Sequence, residues 1–327
     1  MCAMLDRLAG NVPLKSAVAE MTRTGRMGHS LLLIGEAGLG AGFAARCIAA
    51  DLLYPEGGTF AEAMVRGECC RAVAVSGRRD SGSIETGLVR EAISVTGGSK
   101  DGSYLVGQVM AARAELFNSS LSTQGRVVLL YHVERMNEAS ANALLKVLEE
   151  PPENVTFLLT ASSLAAVLPT IRSRCASMEL APLPPAACAA YCEKQGVPRE
   201  DAVRFSALFD GHIGTVLRLA RDANRRARLD TACAIAEAAA KRDAYTVGAL
   251  LANLEKDKAE AVEVLENIAI LAAAGLNGTA ACPLSPDASA RVIRIADAAR
   301  ADLGANVNIK AALTLAAIRF SRAQKAS

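Results

Sequence analysis

Four short runs rich in apolar residues dominate the hydrophobic pattern of the amino-terminal half. They cover residues 31–34, 126–130, 155–160 and, more briefly, 178–180. Runs without polar alternation are typical of strands that are buried on both faces, and segments compatible with helices lie between them. The pattern therefore predicts an α/β domain built on a parallel sheet that helices cover on both sides.

A helix is predicted between the second and third runs. The segment 137–150 begins with Asn137, a residue type that caps helices well, and Pro151 follows its end. Another helix is expected within residues 11–30, ahead of the first strand. Inside 137–150 the apolar residues recur at helical spacing, at Ala141, Leu144, Leu145 and Leu148.

The pattern changes twice along the chain. Residues 55–104 are rich in Gly, Ser and Arg with weak periodicity, so we expect an elaborated insertion or mobile loop there. Prolines cluster at 180–185, and the sequence beyond them is almost entirely compatible with helix. We therefore expect an α/β domain at 1–180, a small helical unit at 181–222 and a second helical unit at 223–327.

Charge and composition limit the partners of the chain. Its 327 residues carry a net charge of +2, contain no Trp and are 4% aromatic. This balance gives no strong attraction to nucleic acid or anionic lipid and argues against base-stacking surfaces. Any contact with DNA would require a local basic patch or a larger assembly.

The sequence also bears on the cellular compartment. No apolar window is long enough to cross a membrane, and the first ten residues lack the apolar stretch of a secretory signal. The nine cysteines are scattered without paired spacing, which suits a reducing environment better than a disulfide framework. We expect a cytoplasmic protein with no membrane association.

A glycine-rich loop follows the first predicted strand and opens a predicted helix. The phosphate-binding pattern G-x-x-x-x-G-K-[ST] matches at Gly35 and Gly40, with Gly38 between them, and then fails. Ala41 stands where a lysine would contact the phosphates, and Gly42 where a hydroxyl would bind magnesium. Backbone N–H groups at a helix start can still attract phosphate, but we expect no ATP turnover and no functional cofactor here.

The end of the run 126–130 lacks the acidic residues that an ATPase would place there. Tyr131, His132 and Val133 follow the strand, and Glu134, expected to begin the next helix, is the only nearby carboxylate. An ATPase needs acidic groups at this point to hold magnesium and polarise water. The chain is therefore not expected to be a self-sufficient ATPase.

The segment 135–175 carries the most specific signal. Its sequence, RMNEASANALLKVLEEPPENVTFLLTASSLAAVLPTIRSRC, combines an N-A-L-L-K-x-L-E-E-P-P helix, an apolar strand and a terminal S-R-C. In that order and spacing, these elements resemble the core of bacterial clamp-loader subunits of DNA polymerase III, in the AAA+ superfamily. The segment 25–40, GRMGHSLLLIGEAGLG, resembles the same family, so the likeness covers most of residues 10–180.

Within that family the sequence resembles the delta-prime type. Gamma and tau subunits keep an intact phosphate loop, whereas delta prime keeps S-R-C and can lack the rest. The resemblance implies that Arg174, between its motif neighbours Ser173 and Cys175, is an arginine finger for the ATP of a neighbouring subunit. The alternative for Arg174 is a structural ion pair. Arg172 is expected to be an ordinary surface charge.

The resemblance also implies the architecture and the partners. The AAA+-like domain would be followed by a helical lid at 181–222 and by an all-helical collar at 223–327 that joins a ring. The expected partners are clamp-loader subunits of the delta and gamma/tau types, the sliding clamp indirectly, and primed DNA within the assembled complex. Gly214 stands where related ATPases carry a sensing arginine in a G-x-x-R pattern, as expected for delta prime.

No metal site is predicted. Many bacterial relatives hold zinc with four cysteines after the first helix, whereas this chain has only the adjacent pair Cys69 and Cys70. Adjacent cysteines do not easily occupy two corners of a tetrahedral site. Cys188 and Cys192, one helical turn apart, are expected to be core residues. The three histidines are isolated and expected to be structural: His29, His132 and His212.

Two alternatives to a catalytically degenerate subunit with an arginine finger remain open from the sequence. One is a divergent clamp-loader ATPase, similar to gamma or tau, that binds nucleotide itself. The other is a pure scaffold that makes no catalytic contribution.

Overall fold

The computed structural model describes residues 3–25, 27–68, 70–72, 91–99, 102–118, 125–152, 154–276, 282–305 and 307–323. The chain divides into two compact units, residues 1–181 and 182–327. The division falls inside the proline-rich stretch at 180–185, where the pattern of apolar residues changes.

A parallel sheet forms the centre of the first unit, as the apolar runs predict. Among the described residues it has six strands in the order β2-β3-β4-β5-β1-β6, and each neighbouring pair is parallel. The strands are β1 (Ser30–Ile34), β2 (Cys70–Ala72), β3 (Glu91–Val95), β4 (Arg126–Leu130), β5 (Val155–Ala161) and β6 (Ala176–Glu179).

Helices connect the strands of the first unit. They are α1 (Val12–Thr24), α2 (Ala41–Leu53), α3 (Thr59–Arg66), α4 (Val106–Asn118), α5 (Glu138–Glu149) and α6 (Pro169–Arg172). The predicted cap of α5 is confirmed, because the Asn137 side chain accepts a hydrogen bond from the Ser140 backbone N–H at 2.8 Å. That bond satisfies one of the donors that a helix start leaves unpaired.

The sheet explains why its central strands are largely apolar, with one buried polar residue at the start of β1, Ser30, and one at the start of β4, Arg126. All five residues of β1 and of β4 are buried. In β1, Leu31 and Leu33 join an apolar cluster that contains α2, whereas Leu32 and Ile34 join a second cluster that contains α5. Successive side chains of a strand point to opposite faces, so a sheet between two helical layers favours apolar residues on both faces of each strand.

The expectation for residues 55–104 needs correction where the structure describes them. The segment contains α3 and the strands β2 and β3, and β3 pairs with β4 in the body of the sheet. β2 has only three residues, and in β3, with the sequence EAISV, polar Glu91 and Ser94 interrupt the apolar residues, so neither strand gives a continuous apolar run. The last strand, β6, also begins at Ala176 rather than at residue 178.

The second unit is built from helices around a shared apolar core. They are α7 (Pro185–Lys194), α8 (Arg199–Leu208), α9 (Ile213–Arg221), α10 (Ala223–Ala240), α11 (Ala244–Ala252), α12 (Lys258–Leu276), α13 (Pro286–Gly304) and α14 (Ile309–Ser321). The division of this unit into 181–222 and 223–327 stays a prediction. No helix in the described part of the chain is long and apolar enough to cross a membrane.

Candidate functional site

The glycine loop forms the corner between β1 and α2. Gly38 and Gly40 have φ values of +101° and +96°, a backbone conformation that suits glycine, and Gly40 is the N-cap of α2. The Gly35 N–H donates to the Ala161 carbonyl oxygen at 2.9 Å, which ties the loop to the end of β5. The strand, loop and helix start of a phosphate-binding corner are therefore present.

The side chains of this corner do not provide phosphate or magnesium chemistry. Ala41 is buried with 8% of its surface exposed, so a methyl group lies where a lysine would extend. A β-carbon placed on Gly42 would lie 3.4 Å from Cε1 of Tyr131, the residue that follows β4. An aromatic ring therefore packs against the helix start at the position of the missing hydroxyl.

Arg46, which no sequence motif marks, lies close to the same helix turn. Nη1 of Arg46 would lie 3.8 Å from a β-carbon placed on Gly42. Its Nε donates to the Val65 carbonyl oxygen at 2.8 Å, near the end of α3. Arg46 thus links α2 to α3 within the first unit.

The end of β4 is closed by hydrogen bonds rather than by metal-binding carboxylates. His132 has a left-handed backbone, with φ of +57°, and its N–H donates to Thr160 Oγ1 at 3.1 Å. Glu134 lies in a short 3₁₀ turn, Val133–Arg135, and not in the next helix as expected. Its Oε1 is 3.3 Å from His132 Nδ1, and its buried Oε2 has no hydrogen-bond partner in the structure.

Tyr104 fixes the ends of β3 and β4 from the buried side. It is 1% exposed, and its hydroxyl lies within hydrogen-bonding distance of two carbonyl oxygens, that of Val95 at 3.0 Å and that of Tyr131, to which its single proton can be donated. Ser140 Oγ in turn donates to the Tyr104 carbonyl oxygen at 2.9 Å. Burial raises the pKa of the Tyr104 hydroxyl, so the group stays a neutral donor.

Arg174 lies on the surface after α6 and is paired with Glu149 at the end of α5. Arg174 Nε donates to Glu149 Oε1 at 2.7 Å, and Nη2 donates to the same oxygen. Nη1 donates to the Thr170 carbonyl oxygen at 2.8 Å and to Ser173 Oγ at 3.2 Å. The side chains remain accessible, with 30% of Arg174 and 47% of Glu149 exposed.

The two motif neighbours of Arg174, Ser173 and Cys175, fix the backbone on either side of it, one by hydrogen bonds and the other by packing. Cys175 packs against the apolar cluster that contains α5, and burial raises the pKa of its thiol to about 12. Ser173 Oγ donates to the Thr170 carbonyl oxygen at 3.2 Å. A protonated, packed thiol therefore anchors the segment, while the guanidinium faces outward.

Arg174 and the glycine loop lie at opposite ends of the sheet. Arg174 precedes β6, whose Ala176 pairs with Leu31, whereas the glycine loop follows Ile34, which pairs with Glu179. Since the strands are parallel, the first position is at the amino ends and the second at the carboxyl ends. The three residue steps from Leu31 to Ile34 alone span about 10 Å.

The structure also describes the surroundings of the remaining candidates, each within its own unit. Arg172 is exposed at the end of α6, and Gly214 lies in the first turn of α9. Cys188 and Cys192 are both fully buried in the core of the second unit. His29 and His132 are exposed, and His212 Nδ1 lies 2.7 Å from the Phe209 carbonyl oxygen.

The structure brings no metal ligands together where it describes them. No group of three or more His, Cys, Asp or Glu side chains in the described ranges is placed to hold an ion. Cys69 and the side chain of Cys70 lie outside the described residues. The described cysteines outside β2 are free thiols: Cys47, Cys175, Cys188, Cys192, Cys233 and Cys282.

Comparison with known proteins identifies the family. The model of the family described as "DNA polymerase III, delta subunit" matches residues 11–184. The chain belongs to this family. The match includes the glycine loop, α5 and Arg174, and therefore covers both candidate places.

Individual subunits of DNA polymerase III are similar in sequence to this chain over about half of its length. DNA polymerase III subunit gamma/tau of Mycobacterium tuberculosis is 33% identical over 183 residues, which is 55% of this chain and 29% of that protein. DNA polymerase III subunit delta' of Pseudomonas aeruginosa is 36% identical over 176 residues, or 53% of this chain and 49% of that protein. The chain thus spans less than half the length of these two relatives.

A solved structure of a DNA polymerase III gamma subunit-related protein from Thermotoga maritima covers more of the chain. It aligns with 94% of this chain and 99% of its own, at 15% sequence identity and a TM-score of 0.44.

Proposed function

We propose that the chain is a delta-prime-type subunit of the DNA polymerase III clamp loader. In this role it does not hydrolyse ATP itself, and it supplies Arg174 to ATP that a neighbouring gamma/tau-type subunit holds. The observation that carries the proposal is the separation of Arg174 from the glycine loop along the parallel strands. An arginine at the amino ends of the strands lies far from its own glycine loop. It is therefore better placed to contact a phosphate bound to another domain than a phosphate bound at that loop.

The contacts of Arg174 support a role in trans. A guanidinium is a permanently charged planar fork that matches phosphate oxygens, and Arg174 is fixed near the surface by Thr170 and Ser173. Its pair with Glu149 is partly exposed, and pairs of this kind contribute about 0–1 kcal/mol. Exchanging Glu149 for a multiply charged phosphate therefore costs little.

The surface around Arg174 also suits contact with another subunit. The strand that follows it, β6, is at the edge of the sheet, and three of its four side chains are exposed. A neighbouring subunit that packs against this edge would contact Arg174.

The glycine loop supports the absence of intrinsic turnover. A lysine and a hydroxyl at positions 41 and 42 would supply the point charge and the magnesium ligand of an ATPase. Ala41 and Gly42 offer neither group, and Tyr131 packs beside Gly42. The corner is then retained as the connection between β1 and α2.

The second unit completes the proposed architecture. Residues 181–222 would form the lid and residues 223–327 the collar through which the chain joins the ring. The partners would be subunits of the delta and gamma/tau types, with the sliding clamp and primed DNA contacted through the assembled loader. The chain would act as a rigid scaffold that positions Arg174.

Reconstitution tests the proposal against the divergent ATPase. The full chain is mixed with delta- and gamma/tau-type subunits, and ring assembly and DNA-stimulated ATP turnover are measured with and without it. Isothermal titration of the chain alone with Mg-ATP runs in parallel. We expect the complete ring and its turnover to require the chain, and the chain alone to hydrolyse no ATP. Turnover by the isolated chain, or a fully active ring without it, would overturn the proposal.

The pure scaffold differs from the proposal at one residue. Both require the chain for assembly, but only the proposal requires Arg174 for ATP hydrolysis. Replacing Arg174 with Ala in the assembled ring separates them.

A further inference from the structure

A basic cleft lies between α13 and α14 in the second unit. It is open to solvent, has a volume of about 360 Å³, and is lined by Arg291, Arg294, Ile295, Ile318, Arg319, Arg322 and Ala323. We call these seven residues the arginine cleft. We propose that it binds successive phosphates of a single DNA strand.

The arginines of the cleft are available to a ligand. Arg294, Arg319 and Arg322 are exposed, and none of the three makes a side-chain hydrogen bond or ion pair with another described residue. Asp297, one turn beyond Arg294, bonds instead to Arg300 Nη1 at 3.4 Å. The positive charge of the cleft is thus not neutralised by a neighbouring carboxylate in the described part of the chain.

Arg291 is already held in place. Its Nε donates to the Ala323 carbonyl oxygen at 2.6 Å, and its side chain is half-buried. This bond leaves the two terminal nitrogens for a ligand. A guanidinium fixed in this way loses little conformational freedom when it binds phosphate.

The spacing of the arginines suits a strand of phosphates. Each helix presents two of them three residues apart, about 5–6 Å between β-carbons, and packed helices lie about 8–10 Å apart. Four guanidinium groups in one cleft can therefore contact two or three phosphates of a flexible single strand. The net charge of +2 for the whole chain leaves room for such a local patch.

An acidic helix of a protein partner fits the cleft less well. Recognition of an amphipathic helix needs apolar anchors over two or more turns. The apolar side chains of the cleft are Ile295, Ile318 and the small Ala323, fewer than its four arginines. Ile318 is 46% exposed.

The inference goes beyond the proposed function, because it concerns binding by the chain itself, outside any ring. The test uses the full chain and a fluorescein-labelled oligothymidylate, with anisotropy measured over a series of salt concentrations. The variant combines Arg294→Ala, Arg319→Ala and Arg322→Ala. The matched control combines Arg199→Ala, Lys241→Ala and Lys256→Ala, which removes three exposed charges of the same sign elsewhere in the second unit.

We expect the cleft variant to bind at least about tenfold more weakly than the unchanged chain, and the control to bind within about twofold of it. The slope of log K against log salt should fall by about 2 in the cleft variant, since each phosphate contact on a single strand contributes about 0.7. Thermal unfolding followed by circular dichroism verifies that both variants remain folded.

Three outcomes would overturn the inference. The first is equal binding by the cleft variant and the unchanged chain. The second is an equal loss in the control, which would indicate general charge attraction. The third is an arginine-dependent preference for labelled oligoglutamate or for inorganic tripolyphosphate over the oligothymidylate, which would assign the cleft to a peptide or to a small polyphosphate. A failed reconstitution of the ring would leave this measurement unaffected.

Discussion

Arg174 and Glu149 form an ion pair at the amino ends of the sheet, and both side chains remain partly in solvent. The pair joins the segment after α6 to the end of α5. An ion pair is thus present at Arg174, as the structural alternative requires, but it does not bury the guanidinium. In the proposed role, Arg174 would exchange Glu149 for a phosphate of the neighbouring subunit's ATP.

The exposure of this pair predicts a small effect of Arg174 on stability. Arg174→Ala should change the free energy of unfolding by less than about 1 kcal/mol, because partly exposed pairs are screened by water. Urea denaturation of the variant and of Arg172→Ala measures the difference. A loss above about 3 kcal/mol would mean that Arg174 is a structural residue, since only buried pairs reach that cost.

The contact between Gly42 and Tyr131 predicts opposite effects of two substitutions. Gly42→Ala should be neutral or stabilising by up to about 1 kcal/mol, because its β-carbon would meet the ring at 3.4 Å and alanine favours helix. Gly42→Thr adds further atoms toward the ring and should destabilise by about 1–3 kcal/mol. Thermal unfolding of both variants measures this. Equal stability of the two would show that Tyr131 does not restrict the position.

Restoring the phosphate-loop residues alone should therefore not restore nucleotide binding. Ala41→Lys with Gly42→Thr returns the pattern but leaves Tyr131 beside the helix start. We expect titration with Mg-ATP to give no saturable binding by this double variant. Tight binding by the double variant with Tyr131 intact would contradict the account of the corner.

The Cys175 thiol should react slowly in the folded chain. Burial favours its neutral form and raises its pKa to about 12, so the thiolate that attacks iodoacetamide is scarce near neutral pH. At about pH 8, alkylation of Cys175 should be about 100-fold or more slower in the folded chain than in urea, and it should accelerate with rising pH. Peptide mass spectrometry follows the reaction. Equal rates in both states would show that the thiol is not packed.

The sequence contains enough information for the sheet's central strands and for α5. Those strands are buried on both faces, so each shows a continuous apolar run, and the α5 boundaries follow from Asn137 and Pro151. The strands β2 and β3 were missed, because they contain no continuous apolar run and pairing with neighbours in the sheet stabilises them.

The candidate site divides in the same way. The missing lysine and hydroxyl are visible in the pattern at Ala41 and Gly42, because a motif fixes their positions. The roles of Tyr131 and Glu149 depend on contacts across the fold. Tyr131 packs on Gly42, which is 89 positions away in the chain, and Glu149 pairs with Arg174, which is 25 positions away. The E-E-P-P end of α5 and the residue after β4 were both visible in the sequence, but nothing local assigned them a partner.

The ATP site beside this chain in a reconstituted ring provides the most direct test of the central claim. Single-turnover hydrolysis is measured in rings that contain the unchanged chain, Arg174→Ala, or Arg172→Ala as the matched control. Arginine fingers accelerate phosphoryl transfer by about 10³–10⁵. The amplitude of the fast phase of hydrolysis should therefore fall by the share of ATP bound at that site, and it should fall only in rings with Arg174→Ala. A fast phase of unchanged amplitude and rate in fully assembled rings with Arg174→Ala would contradict the claim.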